Sequence, residues 1–238
     1  MSAVEGVRVL ALDTATEACS AALLIDGEVR ERYELAPRQH ANLILMMVDQ
    51  LLAEAGVPLG ALDALAFGRG PGGFTGVRIA TGVAQGLAFG AGLAALPVSD
   101  LQALAHGAWR ELGQGRVLAA IDARMDEVYW GAYEYQQGPD AASVVLVGEE
   151  QVAPPQLVQP PAAGEWFGVG SGWRAHWPAL EQALARTGAD RLSGFDDTRH
   201  PRAHDIALLG AQALARGEGV SAEQALPVYL RDEVAWKK

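Results

Sequence analysis

The chain has 238 residues, half of them hydrophobic and a fifth charged, which is the composition of a globular protein with one large or two small domains. A net charge of −11 and a pI of about 4.9 exclude the basic face with which a protein grips nucleic acid unaided, and its lysines are confined to Lys237 and Lys238. The single cysteine, Cys19, excludes an intramolecular disulfide and fits a reduced, cytoplasmic setting; the opening residues, with Glu5 and Arg8, are not expected to form a signal peptide.

Residues 8–12 read as a buried strand that ends at Asp13-Thr14-Ala15-Thr16. A second strand over 19–25, the hairpin pair Asp26-Gly27 and a third strand over 28–35 follow. The helix predicted over 39–55 carries Leu43, Ile44, Leu45, Met46, Met47, Val48, Leu51 and Leu52, too many apolar residues for one face, so it needs cover on two sides. Paired methionines suit an adaptable binding surface, although core packing is their commoner use.

Residues 63–94 read as a strand, a glycine loop and a helix. Four glycines fall within the six residues Gly68-Arg69-Gly70-Pro71-Gly72-Gly73. Such a loop lets a backbone or a ligand come close, and a helix N-terminus behind it is an anion site. The spacing satisfies G-x-G-x-x-G, but Pro71 sits inside it and no acidic residue ends a second strand about 20 residues on, as a dinucleotide site requires. No Gly-Lys-Ser/Thr closes it as a P-loop. The plain alternative is a tight turn that packs a helix on a sheet.

In the helix over 74–93, Gly82, Gly86 and Gly90 recur every four residues beside rows of Ala80, Ala84 and Ala88. Each helical glycine costs about 1 kcal/mol against alanine, which close approach of another helix would offset. The two helices are expected to lie together and form a subunit interface through Leu43, Met46, Met47, Gln50, Arg78, Ala80, Gly82, Ala84, Gly86 and Gly90. The uncharged run over 79–98 contains Thr81, Gln85, Pro97 and glycines, which argues against a membrane span.

Asp100 reads as the N-cap of a helix over 101–112 that stops at Gly113. The chain then starts again: Arg116-Val117-Leu118-Ala119-Ala120-Ile121-Asp122 echoes Arg8-Val9-Leu10-Ala11-Leu12-Asp13, and a strand over 127–135 follows. The expected domains are residues 1–100 and 101–238, with the C-terminal segment packing back on the first. Beyond the repeat come a polar turn over 136–142, a strand over 144–147, an irregular exposed segment over 153–164 and a strand over 165–169. The last leads into Gly168-Val169-Gly170-Ser171-Gly172. A helix over 173–185 is interrupted by Pro178, and a final helix over 201–216 has Pro201 in its first turn and Gly217 at its stop.

The five histidines are His40, His106, His176, His200 and His204. His200 and His204 are four apart, but Pro201 places the first outside regular helix geometry, so no metal site is assigned there. Glu149-Glu150 and Asp196-Asp197 read as solvated turn residues. No Ser-His-Asp order is recognisable, and no catalytic residue is assigned.

Gly70-Pro71-Gly72-Gly73-Phe74-Thr75-Gly76-Val77-Arg78-Ile79 resembles the G-P-G-S-F-T-G-L-R-I signature of the TsaB family, with Gly73 in the place of serine. Asp122-Ala123-Arg124 with Glu127-Val128-Tyr129 resembles that family's D-A-R-x-x-E-V-Y, and Pro227-Val228-Tyr229-Leu230-Arg231 its P-x-Y-L-R tail. The resemblance implies an α/β, actin-like ATPase (ribonuclease H-like) fold of two duplicated lobes, with mixed central sheets flanked by helices. It implies a noncatalytic subunit of the complex that forms N6-threonylcarbamoyladenosine in ANN-decoding tRNA. The partners implied are a TsaD-type catalytic subunit and a TsaE-type ATPase, with a homodimer when the partner is absent, tRNA met only through the complex, and no membrane.

The superfold's nucleotide loops would fall on Asp13, Thr14, Gly70, Gly72, Gly73, Asp122 and Gly170. The bulky Trp173 stands next to the last of these, where the base would lie. ATP or ADP with magnesium would sit at a joint interface, with no cofactor bound tightly. TsaD-type relatives hold a metal through two histidines four apart; here only His40 is present, followed four residues later by Ile44, and His40 reads as a capping or surface residue. The alternatives are an actin-fold ATPase or small-molecule kinase acting alone through Asp13, Asp122 and the glycine loops, and a peptidase.

Overall fold

The computed structural model describes residues 6–138, 142–160, 164–186 and 191–231. Parts of the turn expected over 136–142 and of the loop expected over 153–164 lie outside the described residues, as do Lys237 and Lys238. Strands β1 (Arg8–Asp13), β2 (Ala18–Ile25) and β3 (Glu28–Leu35) lead to helix α1 (His40–Ala55). Strand β4 (Ala64–Gly68), helix α2 (Phe74–Ala91) and strand β5 (Ala94–Val98) complete the first sheet, in the order β3-β2-β1-β4-β5. Helix α3 (Asp100–Leu112) opens the second half, followed by β6 (Arg116–Arg124), β7 (Glu127–Gln137), β8 (Ala142–Ala153), β9 (Glu165–Val169), α4 (Ser171–Arg186), β10 (Arg191–Asp196) and α5 (Ala203–Ala215).

The second sheet has the order β10-β9-β6-β7-β8. In each sheet the first strand pairs antiparallel with a hairpin partner on one side and parallel with a later strand on the other. This is the duplicated, two-lobed actin-like architecture that the resemblance implies, with the repeat of Arg8–Asp13 at residues 116–122 forming the central strand of the second sheet.

Both sheets are covered on both faces, which explains strands that read as nearly continuous apolar runs. In β1, Leu10 and Leu12 point to the face covered by α1 and α2, while Val9 and Ala11 point to α5. In β6, Val117, Ala119 and Ile121 meet α3, and Leu118 and Ala120 meet α4. Helix α5 therefore lies on the first sheet although it ends the chain's second half.

Two strands escape a reading of local pattern. β5 holds Pro97, which is tolerated because β5 is an edge strand. β10, also at an edge, carries Gly194 in an extended bulge where its register against β9 shifts. α2 stops at Ala91 because Gly92 turns left-handed. β8 is longer than expected, since tertiary pairing with β7 carries polar residues that lack strand alternation. The N-cap of α3 is Ser99, whose Oγ accepts from Gln102 N at 3.3 Å; Asp100 is the first helical residue and points inward. The break in α4 falls at His176, with Pro178 just beyond.

The lobes meet where α3 crosses α5. Asp205 on α5 is 1% exposed and accepts hydrogen bonds from His106 Nδ1 (2.7 Å) and from Arg110 Nε (2.9 Å) and Nη2 (3.1 Å) on α3. Burial alone would raise its carboxyl pKa; the donors from His106 and Arg110 outweigh burial and hold it below the ordinary range. Removing one member of a buried charged cluster strands the others. Asp205→Ala is therefore expected to lower unfolding free energy by about 3–5 kcal/mol, measured by urea denaturation at neutral pH.

Candidate functional site

The C-terminal ends of β1, β4 and β5 lie side by side, and they bring Asp13, Gly68 and the start of α3 to one point. Asp13 and Asp100 are both fully buried. A Cβ on Gly68 would lie 2.5 Å from Asp100 Oδ1 and 2.6 Å from Asp13 Oδ1, so only glycine lets the two carboxyls close over it. Asp100 Oδ2 accepts from Gly70 N at 2.6 Å, and Asp100 N donates to Gly70 O at 3.1 Å. Asp13 Oδ1 accepts from Ala15 N at 2.9 Å.

Asp13 Oδ2 and Asp100 Oδ1 are buried with no hydrogen-bond partner. Two buried carboxylates this close cannot both ionise, so the pair shares a proton. Burial is the main cause that raises both carboxyls above the ordinary range; for Asp100 the charge of Asp13 adds to it.

The glycine loop closes on the turn after β1. A Cβ at Gly72 would stand 2.5 Å from Ala15 O, and one at Gly76 only 2.0 Å from Thr14 O. Gly73 N donates to Ala15 O at 2.7 Å, and Thr14 Oγ1 donates to Gly76 O at 2.6 Å. The loop therefore does bring Asp13, Thr14, Gly70, Gly72 and Gly73 together, but with their polar groups turned toward protein. His40, expected as a cap or surface residue, is buried, with Nε2 2.9 Å from Thr16 O. It pins the end of the same turn.

Asp122 and Gly170 belong to the other lobe. Asp122 accepts from Arg124 N and Arg124 Nη1, each at 3.0 Å, lies 3.3 Å from His176 Nε2, and its backbone N donates to Ser171 Oγ at 3.2 Å. Gly170 takes φ 104°, with Ala120 O where a Cβ would go. The Trp173 indole packs directly on Gly168 and donates Nε1 to Leu118 O at 3.0 Å. Between the turns that carry the two groups, Arg124 and Glu17 form an ion pair at 3.5 Å.

A phosphate or magnesium ion does not fit these residues as they are packed. Asp13 and Thr14 have no exposed surface, and Gly73 N is committed to a protein carbonyl. Among the described residues no three His, Cys, Asp or Glu side chains converge as a metal site would require. His200 Nδ1 faces Thr16 Oγ1 at 3.2 Å, whereas His204 meets Glu31 through its backbone N–H, so the two do not act together.

Sequence reading missed Asp100 and Glu150. Glu150 is not a solvated turn residue. Its side chain is buried and accepts from Ser99 Oγ and from Tyr133 Oη, with Arg69 Nη2 at 3.6 Å. A bulge in β8 turns it inward, between the pairs Trp130↔Gln151 and Ala132↔Val147. Asp196 likewise ends β10 and accepts from Thr198 N and Arg199 Nε, each at 3.0 Å.

The helical surface sorts differently from the expected contact list. Gly82, Gly86 and Gly90 are exposed, and a Cβ on any of them would meet nothing within 4 Å. Arg78, Met46 and Gln50 also point outward, and Leu43 is half-buried against the core. Met47, Ala80 and Ala84 are core residues, because the alanine row of α2 is the one that faces the sheet. Leu45 and Phe89, the latter 73% exposed, extend the outward face and were not anticipated.

The acid pair makes a signed prediction. Folded-state pKa values are raised, so its contribution is complete below the ordinary carboxylate range and is lost as pH rises through the raised values. In Asp100→Asn the amide oxygen can accept from Gly70 N while the amide N–H donates to Asp13 in place of the shared proton. Urea unfolding should show wild-type stability falling as pH rises above the ordinary carboxylate range, through about 6 for Asp13 and onward. The variant's dependence should be flatter, with a gain of about 1 kcal/mol or more at the alkaline end.

A TsaD family model, described as tRNA N6-adenosine threonylcarbamoyltransferase, matches residues 33–238. The tRNA threonylcarbamoyladenosine biosynthesis protein TsaB of Escherichia coli strain K12 is 48% identical over 98% of each chain. The protein of the same name from Haemophilus influenzae is 41% identical over 98% of each chain. The solved structure of YeaZ from Pseudomonas aeruginosa is 53% identical and superposes with a TM-score of 0.84, covering 94% of this chain and 100% of that one. With the G-P-G-x-F-T-G-x-R-I motif packed against the turn after β1, these matches show that the chain belongs to the TsaB family of tRNA threonylcarbamoyladenosine biosynthesis proteins.

Proposed function

We propose that this chain is a noncatalytic subunit in the formation of N6-threonylcarbamoyladenosine in ANN-decoding tRNA. It binds and supports a TsaD-type catalytic subunit, and a TsaE-type ATPase joins the pair. The observation that carries this reading is the open stripe of Gly82, Gly86 and Gly90 on α2, together with the exposed apolar side chains of Phe89 on α2 and of Leu45 and Met46 on α1. Three exposed helical glycines are destabilising by about 1 kcal/mol each relative to alanine. A helix that keeps them on its outer face gains from close approach by another backbone.

In this reading the lobe of residues 1–100 carries the contact and the lobe of residues 101–238 braces it. The same face takes a second copy of the chain when the partner is absent. The acidic surface leaves tRNA to the partner, and a cytoplasmic setting suits both the substrate and the buried thiol of Cys19. ATP or ADP with magnesium would touch this chain only at the shared boundary. The noncatalytic role draws support from the burial of Asp13 and Thr14.

The test is reconstitution of tRNA threonylcarbamoylation with this chain supplied or omitted. Product is expected only when it is present, and the chain alone should show no magnesium-dependent ATP turnover. Gly86→Arg adds bulk where no atom stands within 4 Å, so the fold should survive. Affinity for the TsaD-type subunit, measured by calorimetry, should drop by about 100-fold or more, as expected for loss of a packed interface centre. Undiminished affinity with an intact fold would refute the contact surface.

A further inference from the structure

Beyond α5 the chain runs back across both lobes. Val220 exchanges two 2.9 Å backbone hydrogen bonds with Ala95 at the edge of β5, and Ala222 and Ala225 are buried in the core beneath α2. Gln85 Nε2 donates to Ala225 O at 2.8 Å. Val228 N then donates to Arg69 O at 2.8 Å, and Val228 O lies 2.9 Å from where a Cβ on Gly70 would stand. Arg78 Nε donates to Tyr229 Oη at 2.8 Å, and its guanidinium lies 3.6 Å from the centre of the Phe74 ring. Two residues later, Arg231 crosses to the second lobe. There its Nη2 donates to Ala123 O at 3.2 Å and pairs with Glu127, gripping both flanks of the β6–β7 turn.

That turn is strained. Arg124, Met125 and Asp126 take φ values of 61°, 56° and 59°, three consecutive residues other than glycine in the left-handed region. Such backbone persists only where its surroundings over-determine it. The restraints include Asp122, which accepts from Arg124 at the end of β6, Glu17, which pairs with Arg124 at 3.5 Å, and Arg231, which grips both flanks from outside.

We propose that residues 225–231 are an interlobe strap that couples the N-terminal end of α2 to the strained β6–β7 turn. The strap is a short irregular run with a bend at Leu230; Arg78 holds it at Tyr229, and Arg231 holds the other lobe. Loosening either end transmits to the other through two residues of chain. A ligand or partner that displaces Tyr229 from Arg78 therefore alters the order of the turn, and one that grips the turn alters the α2 end by the same coupling. The strap acts within the lone chain and does not depend on which partner the protein serves.

Hydrogen exchange of the isolated full-length protein, followed by mass spectrometry, tests this. Arg78→Ala changes a side chain that has no contact with the second lobe among the interactions described. It is nevertheless expected to speed exchange in the peptide covering 122–128 by about tenfold or more, as is Arg231→Ala, while peptides of α5 stay protected. If Arg231→Ala loosens the turn but Arg78→Ala does not, the contact is local and the coupling is refuted; no change in either refutes the strap altogether. If a variant also deprotects α5, the reversed pair Arg231→Glu with Glu127→Arg decides. Restoration of turn protection relative to Arg231→Glu alone supports the strap, and failure to restore it overturns the proposal.

Discussion

Two carboxyls in a place without water, with one proton between them, set the terms for the centre of this protein. Asp13 ends β1, Asp100 begins α3, and Gly68 lies under both. A buried pair of like charges would be prohibitive, so the shared proton is a condition of the packing. The pair in turn fixes the glycine loop, because Asp100 takes the Gly70 N–H and gives its own N–H to Gly70 O. With the loop held, Gly72 and Gly76 pack against Ala15 and Thr14, and α2 takes up its angle on the sheet. Glu150 completes a second polar layer through Ser99, Tyr133 and Arg69, and it ties β8 of the other lobe to the same loop.

The two halves share a topology and differ in what occupies their inner ends. In the first, the space beside β1 is taken by the loop and the acid pair. In the second, Trp173 lies flat on Gly168 and Ala120 packs on Gly172. Both arrangements are closed by protein groups. On the outside, α1 and α2 present apolar and glycine surface. The lobes cannot drift apart easily, since the Asp205 cluster joins α3 to α5 and the residue 225–231 segment runs over the front.

Much of the fold is legible without coordinates. The apolar runs at 8–12 and 116–122, each followed by a polar turn and a second strand, announce the duplication, and the motif around Gly70 announces the family. The helical periods of α1 and α2 identify two rows on each helix. They do not say which row faces the sheet, and so Met47, Ala80 and Ala84 were grouped with an outward surface they do not join. β5 and β10 carry too few residues, and too much proline and glycine, for local pattern to reveal them; edge positions made those residues tolerable.

Local properties are what the amino-acid order determined alone: which segments are apolar, where glycine permits a turn, how many ligating side chains exist, and the family signature. Burial and partnership were decided by tertiary structure. Asp100 looks like a helix cap and Glu150 like a surface acid until strands distant in sequence enclose them. His40 looks exposed until Thr16 O meets it. Thr14 looks like a phosphate ligand until its hydroxyl donates to Gly76 O. A polar side chain's role follows from the nearest complementary group and from whether water can reach it, and both depend on contacts spanning tens to nearly two hundred residues of chain, such as Thr16 with His200 at a separation of 184.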